Sequence, residues 1–299
     1  MRILVTGANG FVGSHLACKL ANTHTVYAMA RRAPITRGLG GLEWIECDLT
    51  EPLDSSRLPR ELDAIIHLAQ SRHYRQFPEY SSDIFDVNVN STLRLLEYGR
   101  QVDIRQFIFA SSGGIYGFRE EEFVETDPVN PLHFYLTSKY CAELLIANYH
   151  QLFSTVVLRL FFVYGERQSQ TMLIPRLVRS VLNGRAISLQ GSDGLRSNPI
   201  YVGDAVFAFE EALSLEGNHL INVAGPEILS LREMGRAIGA ALNCEPVFKV
   251  YSDHEPTHLI GDLHKMKMLL GEPTVKFANA VTGVCREAVE EAAAQATAT

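Results

Sequence analysis

Short apolar segments alternate with helical patterns through the first half of the chain. Apolar runs at 3–5, 25–29, 42–46, 64–68, 107–110 and 155–160 predict strands, and an apolar spacing of three and four predicts helices over 11–21, 84–100 and 134–153. The strand segments are apolar at successive positions, which is typical of strands that helices cover on both faces. The pattern therefore predicts an α/β fold built on a doubly wound, Rossmann-type parallel sheet.

The second half of the chain is less regular than the first. After Gly165, helices are predicted over 173–182 and 205–213, and strands over 186–189 and 220–223. Prolines follow in the last part of the chain. No further element is predicted there, and the alanine-rich end at 292–299 is expected to fray.

These elements predict two interleaved parts. Residues 1–165 are expected to form the Rossmann domain, to which 199–223 return. Residues 166–198 and 224–299 are expected to form a smaller α/β lobe that binds the substrate. Such a lobe would lie over the carboxyl ends of the strands, where open sheets of this kind bind their ligands.

Composition and charge narrow the classes of function. Of the 299 residues, 46% are hydrophobic and 20% are charged, as in an ordinary globular protein. The net charge of −7 argues against nucleic acid or an anionic membrane as partner, because dense lysine and arginine surfaces bind both. Five scattered cysteines without a C-x-x-C pair, the early apolar run and the lack of a spanning segment predict a cytoplasmic protein without a signal peptide.

A glycine-rich segment joins the first predicted strand to the first predicted helix. Gly7 permits a tight turn, Gly10 lets the backbone approach a pyrophosphate, and Gly13 lets the helix pack closely on the strand. The helix N-terminus offers unpaired N–H groups to an anion. A glycine trio is often only a turn, but between a strand and a helix it predicts a dinucleotide site formed by Gly7, Asn9, Gly10, Phe11, Val12 and Gly13.

The end of the second strand distinguishes the two nicotinamide cofactors. In this fold an acid there accepts a hydrogen bond from the ribose 2′-hydroxyl, whereas a cation suits a 2′-phosphate. The strand ends in Ala30, Arg31 and Arg32, and guanidinium groups bind phosphate as bidentate donors. NADP(H) is therefore favoured over NAD(H), with a solvated pair of surface charges as the alternative interpretation.

Three residues have the types and the order of a proton-transfer site. Tyr135 and Lys139 lie four apart in a helical pattern, so the phenol and the ammonium share one helix face. A free phenol has a pKa of about 10, and an adjacent cation lowers it. Tyr135 would then exchange a proton with a substrate oxygen while a hydride moves to or from the nicotinamide. Ser112, where a strand runs into Gly113, would hydrogen-bond the same oxygen, with Ser111 as the alternative.

These motifs resemble those of the extended short-chain dehydrogenase/reductase family, in its sugar-nucleotide epimerase, dehydratase and reductase branch. The glycine loop, the serine turn and Y-x-x-x-K occur in the family order, and the likeness continues through 158–165 and 199–204. The resemblance implies an NAD(P)-dependent enzyme in which Ser112, Tyr135 and Lys139 are catalytic. It further implies cofactor contacts by Asp48, Leu49, Leu68, Ala69, Gln70, Asn88, Tyr135, Lys139 and Phe161.

The resemblance also implies a substrate class, a nucleotide-activated sugar, and two reactions. The turn after Ser112 is similar to that of 4-epimerases, whereas NADPH use, suggested by Arg31 and Arg32, would suit a 4-ketoreductase. Dehydratases of this branch carry an acid just after the catalytic hydroxyl, so Gly113 and Gly114 disfavour elimination. A reductase of a non-nucleotide carbonyl compound and a non-enzymatic dinucleotide sensor are the alternatives.

Two departures from the family pattern affect the expected substrate contacts. Phe162 replaces the usual asparagine before Val-Tyr-Gly, and Ser197-Asn198 replaces the usual Arg-Asp pair, for which Arg196 is the candidate substitute. The predicted substrate-binding residues are Ser112, Gly113, Phe162 and Arg196. The family further implies a homodimer that pairs through the helices near Ile84 and Tyr135.

A zinc-protease pattern occurs near the C-terminal end of the chain. The segment from His254 to His264 matches H-E-x-x-H-x-x-G-x-x-H, in which three histidines bind zinc. The pattern requires its first two histidines on consecutive turns of one helix, yet Pro256 lies between them and would disrupt that helix. We therefore predict that the protein has no metal site.

Overall fold

Strands and helices alternate along most of the chain. The structure is a computed structural model, and it describes residues 1–34, 41–251 and 257–297. The strands are β1 (Arg2–Thr6), β2 (Thr25–Ala30), β3 (Leu42–Glu46), β4 (Ala64–His67), β5 (Gln106–Ser112), β6 (Ser154–Leu160), β7 (Ile187–Gln190), β8 (Arg196–Ser197), β9 (Asn218–Val223), β10 (Leu229–Ser230) and β11 (Phe248–Tyr251). The helices are α1 (Phe11–Leu20), α2 (Ser81–Phe85), α3 (Ser91–Gln101), α4 (Phe134–Ala147), α5 (Leu173–Leu182), α6 (Val202–Ala212), α7 (Leu231–Leu242), α8 (His264–Leu269) and α9 (Phe277–Thr297).

The main sheet has seven strands in the order β3-β2-β1-β4-β5-β6-β9. Each neighbouring pair is parallel. From β1 the strand order runs outward in both directions, which opens a crevice at the carboxyl ends of β1 and β4. The predicted α/β class and doubly wound parallel sheet are confirmed.

Apolar residues at successive strand positions are explained by a core on each face of the sheet. Ile3 packs in one buried cluster with Leu16 of α1 and Phe209 of α6. Its neighbour Leu4 packs in a second cluster with Leu95 of α3 and, from α4, Ile146. Because successive side chains of a strand point to opposite faces, a strand covered on both sides must be apolar throughout.

A third cluster lies outside the main sheet. It joins Val178 of α5, Met234 of α7 and Val281 of α9 to Leu189 of β7. Two small sheets belong to the same part of the chain, a parallel pair of β7 and β11 and an antiparallel pair of β8 and β10. The chain returns to the main sheet at β9, which pairs with β6. The boundaries given above for the two parts stay a prediction.

Several predicted elements differ from the observed ones. The helix predicted over 134–153 ends at Ala147, and residues 148–153 form turns before β6. The end predicted to fray continues as helix α9 through Thr297, in keeping with the high helix propensity of alanine. No pattern predicted α7, which begins with a capping box between Ser230 and Glu233.

Among the described residues, none of the helices combines the length and the apolar character that crossing a membrane requires.

The turn from β1 into α1 has little space for side chains at its glycines. Gly7 has a φ of 67°, and a Cβ added there would lie 2.8 Å from the amide nitrogen of Ala69. A Cβ added to Gly13 would lie 2.1 Å from the carbonyl oxygen of Gly7. The expected roles of these glycines in the turn and in helix packing therefore have a direct steric cause.

We expect Gly13→Ala to lower the free energy of unfolding by about 3 kcal/mol, because backbone atoms must move to admit the methyl group. Gly217→Ala is the control for a methyl group added in open space, since Gly217 has a φ of 83° and an added Cβ would meet no described atom within 4 Å. Its loss should be about 1 kcal/mol, from the backbone conformation alone. Urea unfolding measures both, and equal losses would contradict the steric account.

Candidate active site

The loops that follow β1 and β4 are joined at the crevice of the sheet. The amide of Ala69 donates to the hydroxyl of Thr6 over 3.2 Å, and the same hydroxyl lies 2.6 Å from Nδ1 of His67. The hydroxyl of Thr92 donates to the carbonyl of Asn88, so it accepts from Nε2 of His67 at 3.1 Å. Nδ1 of His67 therefore accepts from Thr6. Burial and the charge of Lys139 lower the pKa of His67 to about 3, which keeps the ring neutral.

The glycine loop has the features of an anion cradle. Gly10 precedes α1, its amide donates to the carbonyl of Gly7 at 2.8 Å, and no side chain caps the helix at Gly10. The first turn of α1 contains no acidic residue. The side-chain amide of Asn9 donates through Nδ2 to the carbonyl of Arg32 at 3.2 Å and so ties the loop to the end of β2. Free helix N–H groups beside glycines fit the diphosphate of a dinucleotide.

Arg31 and Asp48, both predicted to contact the cofactor, lie near each other. Arg31 and Arg32 are exposed after β2, and Leu49 is buried after β3. Partial burial would raise the pKa of Asp48, but hydrogen bonds from the backbone and hydroxyl of Thr50, with the charge of Arg31, outweigh it and lower that pKa. The structure thus brings the Arg31 charge close to Asp48.

Tyr135 lies in the first turn of α4, half-buried at the edge of the crevice. Its hydroxyl donates to Oε1 of Gln70 at 2.9 Å, and its ring centre lies 5.1 Å from that of Tyr74. Burial raises the pKa of Tyr135, and the phenol of Tyr74 raises it further. Gln70 and Tyr135, both predicted to contact the cofactor, are therefore hydrogen-bonded to each other.

Lys139 lies one turn further along α4 and is almost fully buried. Its Nζ donates to the carbonyl of Ala110 at 2.8 Å and lies 4.8 Å from the ring centre of Phe109. Burial lowers the pKa of Lys139 to about 7, although the charge of Glu143 acts in the opposite direction. The expectation that Lys139 lowers the pKa of Tyr135 is wrong for this structure, because burial dominates at the phenol and the ammonium is bonded to Ala110.

The two serines at the end of β5 have different surroundings. Ser111 is buried and its hydroxyl donates to the carboxylate of Glu143. Ser112 is half-buried, and its oxygen accepts from the amide of Gly114 at 3.2 Å. A Cβ added to Gly114 would lie 3.0 Å from the side chain of Leu136, so the Ser112 turn packs directly against the start of α4. Of the two serines, Ser112 is therefore the less buried.

A buried ion pair holds α4 against β6. Arg159 donates to Glu143 at 2.6 Å, and the two side chains are 4% and 7% exposed. The guanidinium also lies 4.6 Å from the ring centre of Tyr116, whose hydroxyl donates to Asn222 at 2.8 Å. Sequence reasoning missed this pair. The signals were an arginine within the apolar run of β6 and a glutamate one turn after Lys139.

Asn88 has a bridging position. It lies in a π-helical turn (Asp86–Asn90) between α2 and α3, of a kind often found at functional sites. Its side chain accepts from the amide of Ser71 at 2.9 Å and donates to the hydroxyl of Ser138 at 2.8 Å. Asn88 thus joins the loop after β4 to α4, and its predicted cofactor contact stays a prediction.

The residues predicted to contact substrate are only partly brought together. Gly113 packs against the buried ring of Phe161, where an added Cβ would lie 2.5 Å from the ring. Phe162 follows with a φ of 42°. Arg196 lies exposed on β8, and its neighbour Ser197 is fully buried with an unpaired hydroxyl. Because neighbours on a strand face opposite sides, the Arg196 side chain does not occupy the place of the Ser197 side chain.

The zinc-like segment is described only in part. His254, Glu255 and Pro256 lie outside the described residues. His258 accepts from the amide of Arg196 through Nδ1 at 3.1 Å. Over 1–34, 41–251 and 257–297, no group of three potential ligands from histidine, cysteine, aspartate and glutamate is arranged around a metal position.

We expect the charge of Lys139 to make stability depend on pH. Its pKa is about 7 when folded against 10.5 ordinarily, so between these values the unfolded chain holds a proton that the folded chain lacks. The free energy of unfolding should therefore rise with pH in this range, relative to Lys139→Met, which cannot titrate. Urea unfolding of both proteins from roughly pH 6 to pH 9 measures the difference. A difference that stays constant would contradict the buried, weakly basic lysine.

Comparison with known proteins identifies the family. The model of the family described as NAD dependent epimerase/dehydratase matches residues 3–224. A Bacillus subtilis protein named as an uncharacterized UDP-glucose epimerase is 31% identical, over 90% of this chain and 92% of that protein.

Solved structures agree with this match. The Thermus thermophilus UDP-glucose 4-epimerase, in complex with NAD, is 28% identical with a TM-score of 0.82, over 97% of this chain and 99% of that one. The Bacillus cereus UDP-glucuronic acid 4-epimerase, in complex with UDP-glucuronic acid and NAD, is 25% identical with a TM-score of 0.85, over 97% of this chain and 100% of that one. The resemblance inferred from the motifs is confirmed, and the chain belongs to the NAD dependent epimerase/dehydratase family of the extended short-chain dehydrogenase/reductases.

Proposed function

We propose that this protein is a 4-epimerase of a UDP-activated sugar. The observation that supports the proposal is the packing of the Ser112 turn against the start of α4, the helix that carries Tyr135. The similar proteins named as UDP-sugar 4-epimerases support the choice of substrate. The chain covers at least nine-tenths of each of them.

A nicotinamide cofactor fits the residues that surround the crevice. The glycine loop and the N-terminus of α1 would hold its diphosphate, and Leu68 and Ala69 would line it after β4. When bound, the nicotinamide supplies an acceptor and donor of hydride. In epimerisation the cofactor ends as it began, so no external reductant is required.

The protein's own residues would handle the proton. Oη of Tyr135 takes the proton from a sugar hydroxyl and later returns it, while Oγ of Ser112 donates a hydrogen bond to the same sugar oxygen. A phenol must ionise before it accepts a proton. Lys139 lies one helical turn away and would stabilise the phenolate only after its Nζ leaves the carbonyl of Ala110. The Ser111 hydroxyl donates its hydrogen bond to Glu143, which favours Ser112 as the catalytic serine.

Both the residue at position 113 and the packing around it disfavour an elimination reaction. Dehydratases of this branch resemble this chain but carry an acid just after the catalytic hydroxyl. Here that position is Gly113, against which the ring of Phe161 packs with no space for a side chain. Redox-neutral epimerisation is therefore preferred. Reduction of a 4-ketosugar is the second candidate, because Arg31 and Arg32 suit NADPH.

A homodimer stays part of the proposal. Exposed apolar side chains lie on each of the three helices near the predicted contact, Phe85 on α2, Leu93 on α3 and Leu144 on α4, and α4 packs against both others. A shared apolar face of this kind is typical of an interface between copies.

The cytoplasmic location also stays a prediction, which rests on the cysteine pattern.

We expect the purified protein to interconvert a UDP-sugar and its 4-epimer without net change in NAD absorbance, tested on UDP-glucose and UDP-glucuronic acid. Net consumption of NADPH with a UDP-4-ketosugar would instead establish the reductase. Tyr135→Phe should lower kcat by about 10²–10⁴, because the proton acceptor is lost.

Matched serine variants test the site itself. Ser112→Ala should lower kcat by about 10², whereas Ser111→Ala should leave kcat near the wild-type value. The reverse order would assign the catalytic role to Ser111. Tight cofactor binding without turnover of any sugar would favour the non-enzymatic sensor.

The preference for NADP(H) has a separate test. Replacing both Arg31 and Arg32 by alanine should weaken NADP(H) binding roughly tenfold or more, because two charge-assisted donors to the 2′-phosphate are lost. Binding of NAD(H), which lacks that phosphate, should change little. Calorimetric titration with both cofactors measures these affinities. An equal loss of affinity for NADP(H) and NAD(H) would mean that the arginines are only solvated surface charges.

A further inference from the structure

Gln70 contacts the proton-transfer oxygen directly. Its Oε1 accepts the hydrogen bond of the Tyr135 hydroxyl at 2.9 Å. In the family turn that this segment resembles, H-L-A-A, the corresponding residue is alanine, which has no polar group. Gln70 is thus a polar residue of this chain beside the atom that would move a proton.

The backbone on both sides of Gln70 is fixed. The amide of Ala69 donates to Thr6 at 3.2 Å, and the amide of Ser71 donates to Asn88 at 2.9 Å. Asn88 in turn donates to Ser138, three residues after Tyr135 on α4. The same network therefore positions the loop that carries Gln70 and the helix that carries the phenol.

The chemistry of an amide suits a group that changes protonation. A carboxamide carries an acceptor oxygen and two donor hydrogens on one plane, and its terminal torsion is broad and roughly two-fold. The Gln70 side chain is exposed, so the amide has space to turn. With Oε1 it accepts from the phenol, and with Nε2 it would donate to the phenolate.

We propose that Gln70 is a positioning residue that hydrogen-bonds the Tyr135 oxygen in both of its protonation states. The role of Gln70 in catalysis rests on the proposed function, since an epimerase uses the phenol and the phenolate alternately. The hydrogen bond between Gln70 and Tyr135 is observed whether or not that function is correct. Lys139 is bonded to Ala110, and among the described residues Gln70 is the side chain that hydrogen-bonds the oxygen.

The other ionisable groups around Tyr135 are few among the described residues. Tyr74 faces its ring from the 71–80 loop, and the guanidinium of Arg75 lies 5.1 Å from the ring centre of Tyr74. Lys139 lies one turn along α4. Because these groups are unchanged by substitution at position 70, a shift in the ionisation of Tyr135 can be assigned to the amide.

The sign of one shift tests the proposal. Ionisation of Tyr135 is followed by ultraviolet difference absorption of tyrosinate, as the full-length protein minus its Tyr135→Phe variant, with and without NAD. Hydrogen bonds to an ionised partner are the stronger ones, so Gln70→Leu should move the ionisation of Tyr135 upward by about one pH unit. Gln70→Glu, of the same shape but able only to accept and negatively charged, should move it upward further.

Other results would overturn the proposal. A downward shift in Gln70→Leu would mean that the amide only accepts from the phenol, and no shift would mean that the amide does not favour the phenolate over the phenol, as the proposal requires. The same holds if no ionisation of Tyr135 occurs before the protein unfolds. Gln76→Glu is the matched control, because Gln76 lies in the same region but pairs with His73, and its profile should equal that of the wild type. The titration needs no substrate, so its result stands apart from the outcome of the epimerase assay.

Discussion

The ion pair between Glu143 and Arg159 fixes helix α4 on the sheet, and the candidate site depends on that position. Tyr135, Lys139 and Glu143 are spaced four residues apart, so one helix face carries all three into the region of β5 and β6. Breaking a buried pair leaves an uncompensated charge, which typically costs about 3–5 kcal/mol. The same pair receives the hydroxyl of Ser111, and because neighbours on a strand face opposite sides, Ser112 faces away from the pair.

Burial sets the electrostatics around this helix. Lys139 loses most of its solvation, which lowers its pKa to about 7, while the charge of Glu143 keeps it from falling further. The neighbouring His67 is kept neutral by burial and by that same lysine. The phenol of Tyr135 stays protonated in its buried surroundings and finds its partner in Gln70 rather than in Lys139.

The sequence predicted those parts of the molecule in which local pattern and tertiary structure agree. Continuous apolar runs predicted the parallel strands because helices cover the sheet on both faces, and the predicted segment 64–68 begins with β4 at Ala64 and ends one residue beyond it. Glycine spacing predicted the loop because Gly7 and Gly13 admit no side chain. The Tyr135 and Lys139 pair was predicted from helical spacing, but their partners were not. Gln70, Ala110 and Glu143 meet them through the fold, and short elements such as β8 and β10 have no period to detect.

The central claim is that the oxygens of Ser112 and Tyr135 converge on one oxygen of a sugar in the dinucleotide crevice. A crystal structure of the protein with NAD and a UDP-sugar bound tests it most directly. The account predicts that Oγ of Ser112 and Oη of Tyr135 both lie within hydrogen-bond distance of the same sugar oxygen, about 2.5–3.2 Å. A sugar bound elsewhere, or a Tyr135 that faces away from it, would contradict the account.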